Sequence, residues 1–72
     1  MGVYSVGEVA DQLTERFGVR VRPRQITNLF SERALRDDLC PIKAGRRVVP
    51  ESYVPMIVAE LRRRGTLRKG EG

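Results

Sequence analysis

The sequence predicts one small, mainly α domain: three helices and a short β-hairpin. Three observations carry that reading. Apolar residues recur at helical spacing in three separate stretches. β-branched residues flank an Ala44-Gly45 turn between the second and third of these stretches. A chain of 72 residues, 40% of them hydrophobic, can fold around one core but not two. A core of this size supplies only about 3–5 kcal/mol.

The first helix opens on Ser5 and Glu8, which have capping-box spacing: the hydroxyl accepts from the Glu8 N–H and the carboxylate reaches back to the Ser5 N–H. Val6, Val9, Ala10, Leu13 and Phe17 then trace one face, with Glu8, Asp11, Gln12 and Glu15 on the other. Gly18 is a natural stop, so the helix is expected from Val6 to Phe17. Gly7, inside it, costs about 1 kcal/mol relative to alanine.

Residues 18–22 read as a connection, and Pro23 suits the first position of a second helix. Ile26, Leu29, Phe30 and Ala34 form its apolar stripe, which suggests an end at Glu32 or Arg33. Its outward side, Arg24, Gln25, Thr27, Asn28 and Ser31, is made of hydrogen-bonding groups rather than a Glu/Lys mixture. That pattern suits a ligand-facing surface and an ordinary solvated face equally.

Leu35 to Leu39 reads as irregular. Cys40 to Lys43 and Arg46 to Val49 read as two short strands, with Lys43, Arg46 and Arg47 about the hairpin tip. Pro41 requires an edge or a strand start, and Cys40 reads as a packed strand residue. A third helix comes next, capped by Ser52, with Tyr53, Val54, Ile57, Val58 and Leu61 inward and Gly65 as its stop. Leu13, Ile26, Leu29, Phe30, Ile57 and Leu61 are expected to meet where the helices converge. The folded domain is therefore placed at residues 1–65, and 66–72 are read as a flexible basic tail.

Charge narrows the function. Fourteen basic against nine acidic residues leave a net +5, and arginine outnumbers lysine twelve to two. Twelve of the fourteen cations fall into three runs free of acids: Arg16 to Arg24, Lys43 to Arg47, and Arg62 to Lys69. Such runs can simply solubilise a surface, and Arg62 to Arg64 also complement the dipole of the third helix. Clustering on separate elements favours a polyanion, for which the arginine fork is well shaped.

Other classes fall away. One cysteine and no histidine exclude an internal disulfide, a histidine-dependent triad and an ordinary zinc site, so no catalytic residue, metal or cofactor is expected. No apolar run approaches the about 18 residues of a membrane span. Val6 stands where a myristoylation motif needs Ser or Thr, and no secretory signal pattern is present. The expected setting is cytoplasmic, nucleoid-associated when bound, without a membrane.

Helix, connection, short polar-faced helix, two-stranded wing and third helix match the order of a winged helix-turn-helix. Tyr4-Ser5-Val6-Gly7-Glu8-Val9-Ala10 resembles the opening of MerR-type and excisionase-type DNA-binding domains. Arg24 to Phe30 resembles their recognition helix, and Gly45 to Val54 is similar to the excisionase wing and the start of its next helix. The likeness spans almost all of Tyr4 to Gly65. It implies that the second helix enters the major groove and the wing touches neighbouring backbone or minor groove. Carried over by position, Arg24, Gln25, Thr27 and Asn28 face the groove, with Arg22 and Ser31 at the ends of the same helix and Lys43, Arg46 and Arg47 on the wing.

Three features depart from that pattern. The first connection is several residues longer than the usual tight turn, which leaves the docking angle of the second helix open. Arg33 stands where glycine is common, so the helix is expected to end without the low-cost left-handed cap. The chain also stops after the third helix, so effector sensing does not carry over and a monomer is expected without DNA.

The leading expectation is a sequence-specific double-stranded DNA binder that regulates site-specific recombination or transcription, with a recombinase or further copies of itself beside it on DNA. The alternative is a protein-interaction module, an adaptor or inhibitor, using the Cys40-Pro41-Ile42 segment as a contact edge.

Overall fold

In a computed structural model, residues 2–67 are described. They form three α-helices and one antiparallel three-stranded sheet. The elements are β1 (Val3–Ser5), α1 (Val6–Phe17), α2 (Pro23–Ser31), β2 (Ile42–Lys43), β3 (Arg46–Pro50) and α3 (Val54–Arg63). Short 3₁₀ turns at Asp37–Leu39 and Glu51–Tyr53 precede β2 and α3.

The start and end of α1 are set locally. Ser5 Oγ accepts the Glu8 N–H at 3.1 Å, and Glu8 Oε1 accepts the Ser5 N–H at 2.8 Å. Gly18 takes the left-handed conformation, φ 69°, and its N–H donates to the Thr14 carbonyl. Val21, in the connection after it, is buried among the core side chains. The extra length is therefore spent on an anchor in the core rather than on a free loop.

The ends of α2 and α3 share one hydrogen-bond pattern built on different residues. After α2, the N–H groups of Arg33 and Ala34 donate to the carbonyls of Phe30 and Leu29. After α3, those of Gly65 and Thr66 donate to Arg62 and Leu61. Both are Schellman turns, which need one left-handed residue. Gly65 supplies it at φ 85°, and Arg33 at φ 64°. The left-handed turn thus forms at α2 after all, with an arginine carrying the conformational cost.

The sheet differs from a two-stranded hairpin. β3 lies in the middle, with β2 on one side and β1 on the other. Val3, Tyr4 and Ser5 face Pro50, Val49 and Val48, while Ile42 and Lys43 face Arg47 and Arg46. The turn between β2 and β3 has positive φ at both central residues, Ala44 at 52° and Gly45 at 79°, as a type I′ turn requires. The third strand matters energetically, because two short strands alone are marginal.

The expected Ser52 cap does not form. Ser52 sits inside the Glu51–Tyr53 turn, which runs straight into α3, and the Val54 N–H donates to the Glu51 carbonyl. The 3₁₀ turn meets backbone donors that a side-chain cap would otherwise meet. Cys40 also lies outside a strand. It comes directly after the Asp37–Leu39 turn and is fully buried.

The core is continuous across all three helices and β3. Leu13, Ile26, Leu29, Phe30, Ile57 and Leu61 are all buried in it, joined by Val9, Leu35, Cys40, Val49 and Tyr53. The Tyr53 hydroxyl accepts the Arg36 N–H at 2.8 Å, so this buried phenol is satisfied. No buried residue among those described is polar or charged. Leu67, two residues past the expected boundary at 65, is buried as well. After Gly65 turns the backbone, Leu67 covers core that α3 alone leaves open. The remainder of the expected tail, 68–72, lies outside the described residues.

Candidate nucleic-acid interface

On α2, Arg24, Thr27, Asn28 and Ser31 are all exposed and fall at the i, i+3, i+4, i+7 spacing of one helix face. The opposite face, Ile26, Leu29 and Phe30, is buried and fixes which way this row points. Gln25 does not belong to the row. Its Oε1 accepts the Arg22 N–H at 2.8 Å, closing the helix start. A bidentate reader of adenine needs both ends of its amide, and one end of Gln25 is already used.

Arg22 is exposed but faces elsewhere. With Asp11, Thr14, Arg20, Val21 and Pro23 it lines a depression of about 300 Å³ at the α1–α2 connection. This is distinct from the larger groove beside the hairpin, about 430 Å³, whose walls are Thr27 on α2 and Ile42, Arg46 and Arg47 on the hairpin. Ser5, Val6 and Gly7, at the start of α1, complete that groove.

The three basic hairpin residues have different environments. Lys43 and Arg46 are exposed and directly opposite each other across the ribbon. Like charges in such a pair repel, a cost that an anion between them would remove. Arg47 is half-buried: its guanidinium lies 4.3 Å from the centre of the Phe30 ring, and Nη1 donates to the Cys40 carbonyl at 2.8 Å. In one dimension these three look equivalent, whereas the fold ties one of them to the core.

Ion pairing sorts the remaining cations. Among the described residues, Arg36 pairs with Asp38, Arg63 with Glu60, and Arg64 with both Glu32 and Glu60. Arg16 and Arg62 lie over the Phe17 ring at 5.4 and 5.7 Å. Much of the third basic run is thus engaged within the molecule. Arg24, Lys43 and Arg46 enter none of these pairs; Arg46 lines the groove, Lys43 sits opposite it on the hairpin, and Arg24 lies on the same α2 face as the groove residue Thr27.

Three titrating groups among the described residues are displaced, the first being Arg36, raised by its hydrogen bond to Asp38. The Arg36 guanidinium, hydrogen-bonded to Asp38, holds that carboxyl below its ordinary range. Burial pushes the Cys40 thiol up, against a smaller opposing influence from Arg47. A buried, largely protonated thiol is a poor nucleophile. The expected Cys40-Pro41-Ile42 contact edge is correspondingly reduced, because Cys40 is inside and only Pro41 and Ile42 are exposed.

Ser5, Val6 and Gly7 are groove residues that sequence reasoning assigns to the fold rather than to a site, and it names Ile42 only within the alternative contact edge. Gly7 alone leaves a trace, as a poor helix former in the first turn of a helix. A Cβ there would meet nothing nearer than Ser5 Oγ at 3.9 Å, so packing within the molecule does not demand glycine. No group of three or more potential metal ligands occurs among the described residues, and no helix is long and apolar enough to cross a membrane. Against protein families, curated proteins and solved structures, the chain has no match.

Proposed function

We propose that this chain is a sequence-specific double-stranded DNA-binding protein of the winged helix-turn-helix kind, an excisionase-like or small MerR-like regulator of site-specific recombination or transcription. One observation supports the reading: the exposed row of donors and acceptors on a short helix contributes Thr27 to the same groove that Arg46, a hairpin cation outside the ion pairs, lines from the other side. The major groove of B-DNA is about 12 Å wide and admits a helix of this kind. Arg24 is suited to guanine O6 and N7, and Asn28 to adenine N6 and N7. Lys43 and Arg46 act on phosphates, which position the protein without reading sequence.

A single helix of nine residues contacts few base pairs. Selectivity therefore calls for neighbouring copies or a recombinase on adjacent sites. Selection of duplexes from a random pool, then salt titration of the enriched sequence, tests the proposal. A steep fall of affinity with salt and a defined consensus are expected. A protein-interaction module would show a flat salt response and no consensus.

A further inference from the structure

We infer that Arg47 is a positioning residue: clamped between the Phe30 ring and the Cys40 carbonyl, it sets the hairpin against α2 and makes no phosphate contact of its own. The inference rests on the proposed DNA-binding function and assigns one hairpin arginine to sequence discrimination rather than to charge neutralisation.

The hairpin needs such a clamp. β2 has only two residues, and neither packs into the core: Ile42 is 60% exposed and Lys43 is also exposed. β3 is held on its other side by β1, but β2 has only β3. Two hydrogen bonds secure the entry to β2, from the Val48 N–H to the Pro41 carbonyl at 2.8 Å and from Arg47 Nη1 to the Cys40 carbonyl at 2.8 Å. The second is joined to α2 through the Phe30 ring, 4.3 Å below the guanidinium. Arg47 therefore touches the segment before the hairpin, the strand after its turn and the inner face of α2 together. Lysine, a point charge without a planar fork, cannot occupy the ring face and hold the carbonyl in the same way.

The test uses the full chain with R47M, R47K and F30L, and with R46A as a phosphate-contact comparator. Amide hydrogen exchange without DNA reports on the hairpin. Binding to the duplex selected by the wild-type chain and to a scrambled duplex of the same length, across a salt series, reports on discrimination. R47M, R47K and F30L should each speed exchange at the Arg46 and Val48 amides by about tenfold relative to α1 amides. Each should also lower the selected-to-scrambled affinity ratio by about tenfold. F30L keeps every charge, so its salt slope should match the wild type, and R47M should match as well. R46A should instead flatten the slope by about 0.9 and preserve the ratio.

The assignment is overturned if R47M keeps wild-type hairpin exchange, or if it flattens the salt slope like R46A while the ratio is intact. If the wild-type chain prefers no duplex, the DNA-binding proposal and the discrimination role fall together. The exchange measurements then still decide whether Arg47 holds the hairpin, which separates the two failures.

Discussion

The Thr14 hydroxyl accepts the N–H of Val21 at 2.8 Å, tying the middle of α1 to the end of the connection that leads into α2. The same hydroxyl donates to the Ala10 carbonyl at 2.8 Å, so both its hydrogen-bonding capacities are used. Val21 itself is buried. The connection is longer than a tight turn, yet its last part is fixed in place, and with it the direction in which α2 leaves.

Thr14→Val keeps the shape and removes the acceptor. The Val21 N–H then has no side-chain partner, at a cost of about 1–3 kcal/mol for a buried donor. Urea denaturation should show this loss. An unchanged midpoint would mean that water reaches the Val21 amide and that the threonine is not what anchors the connection.

Arg33→Gly should stabilise the protein. The left-handed conformation costs a non-glycine residue about 1–2 kcal/mol, partly offset by the greater freedom of glycine in the unfolded chain. A net gain of about 1 kcal/mol and a higher Tm are expected. Gly65→Ala, at the equivalent position after α3, should do the reverse.

The hairpin cations and the α2 row should fail differently when altered. Lys43→Ala with Arg46→Ala should weaken selected and scrambled duplexes together and lower the salt slope by about 0.9 per lost phosphate contact. Asn28→Ala should cost about 1–3 kcal/mol on the selected duplex and leave the salt slope unchanged. Ser52→Ala, away from the groove, serves as the control for both. Were Asn28→Ala silent while the double variant abolished binding, α2 would not be the reading element.

Gly7→Ala separates fold from function. Alanine improves the helix by about 0.5–1 kcal/mol, and only Ser5 Oγ lies near the new methyl. Thermal stability should therefore rise. Gly7 lines the groove beside Thr27 and Arg46, so a DNA strand lying there would meet the methyl and affinity should fall. Equal affinity with higher Tm would indicate that bound DNA stays clear of the start of α1.

Cys40 supplies a pH test. Its thiol pKa is raised by burial, so folding favours the protonated form. The associated stability is fully present below the ordinary thiol pKa. It declines as pH rises above that value, because the unfolded chain then loses the proton more readily. Cys40→Ala should flatten this alkaline decline. In the parent at neutral pH, a disulfide reagent should label Cys40 only at the rate of unfolding.

Local spacing was enough for α1, whose capping box, apolar stripe and terminal glycine lie within fourteen consecutive residues, Ser5 to Gly18. It was enough also for the start of α2, for the core positions Leu13, Ile26, Leu29, Phe30, Ile57 and Leu61, and for the turn at Ala44-Gly45. These features depend on propensity and periodicity, which act over a few residues at a time. β1 was out of reach because Val3 to Ser5 become a strand only by pairing with Val48 to Pro50, far along the chain. Leu67 was likewise invisible as core, since its burial depends on the turn at Gly65 and the surface that turn brings it to.

The same division runs through the candidate site. Residue type and spacing along α2 were sufficient to place Arg24, Thr27, Asn28 and Ser31 on one exposed face, because a helix puts residues three and four apart on the same side. Gln25, Arg22 and Arg47 have the same chemical credentials in one dimension. Their roles diverge only when the chain folds: one amide closes a helix start, one arginine turns toward another depression, and one settles over the Phe30 ring. Side-chain type limits which partners a residue can accept, but only packing determines which partner comes within about 3 Å, where a hydrogen bond is made.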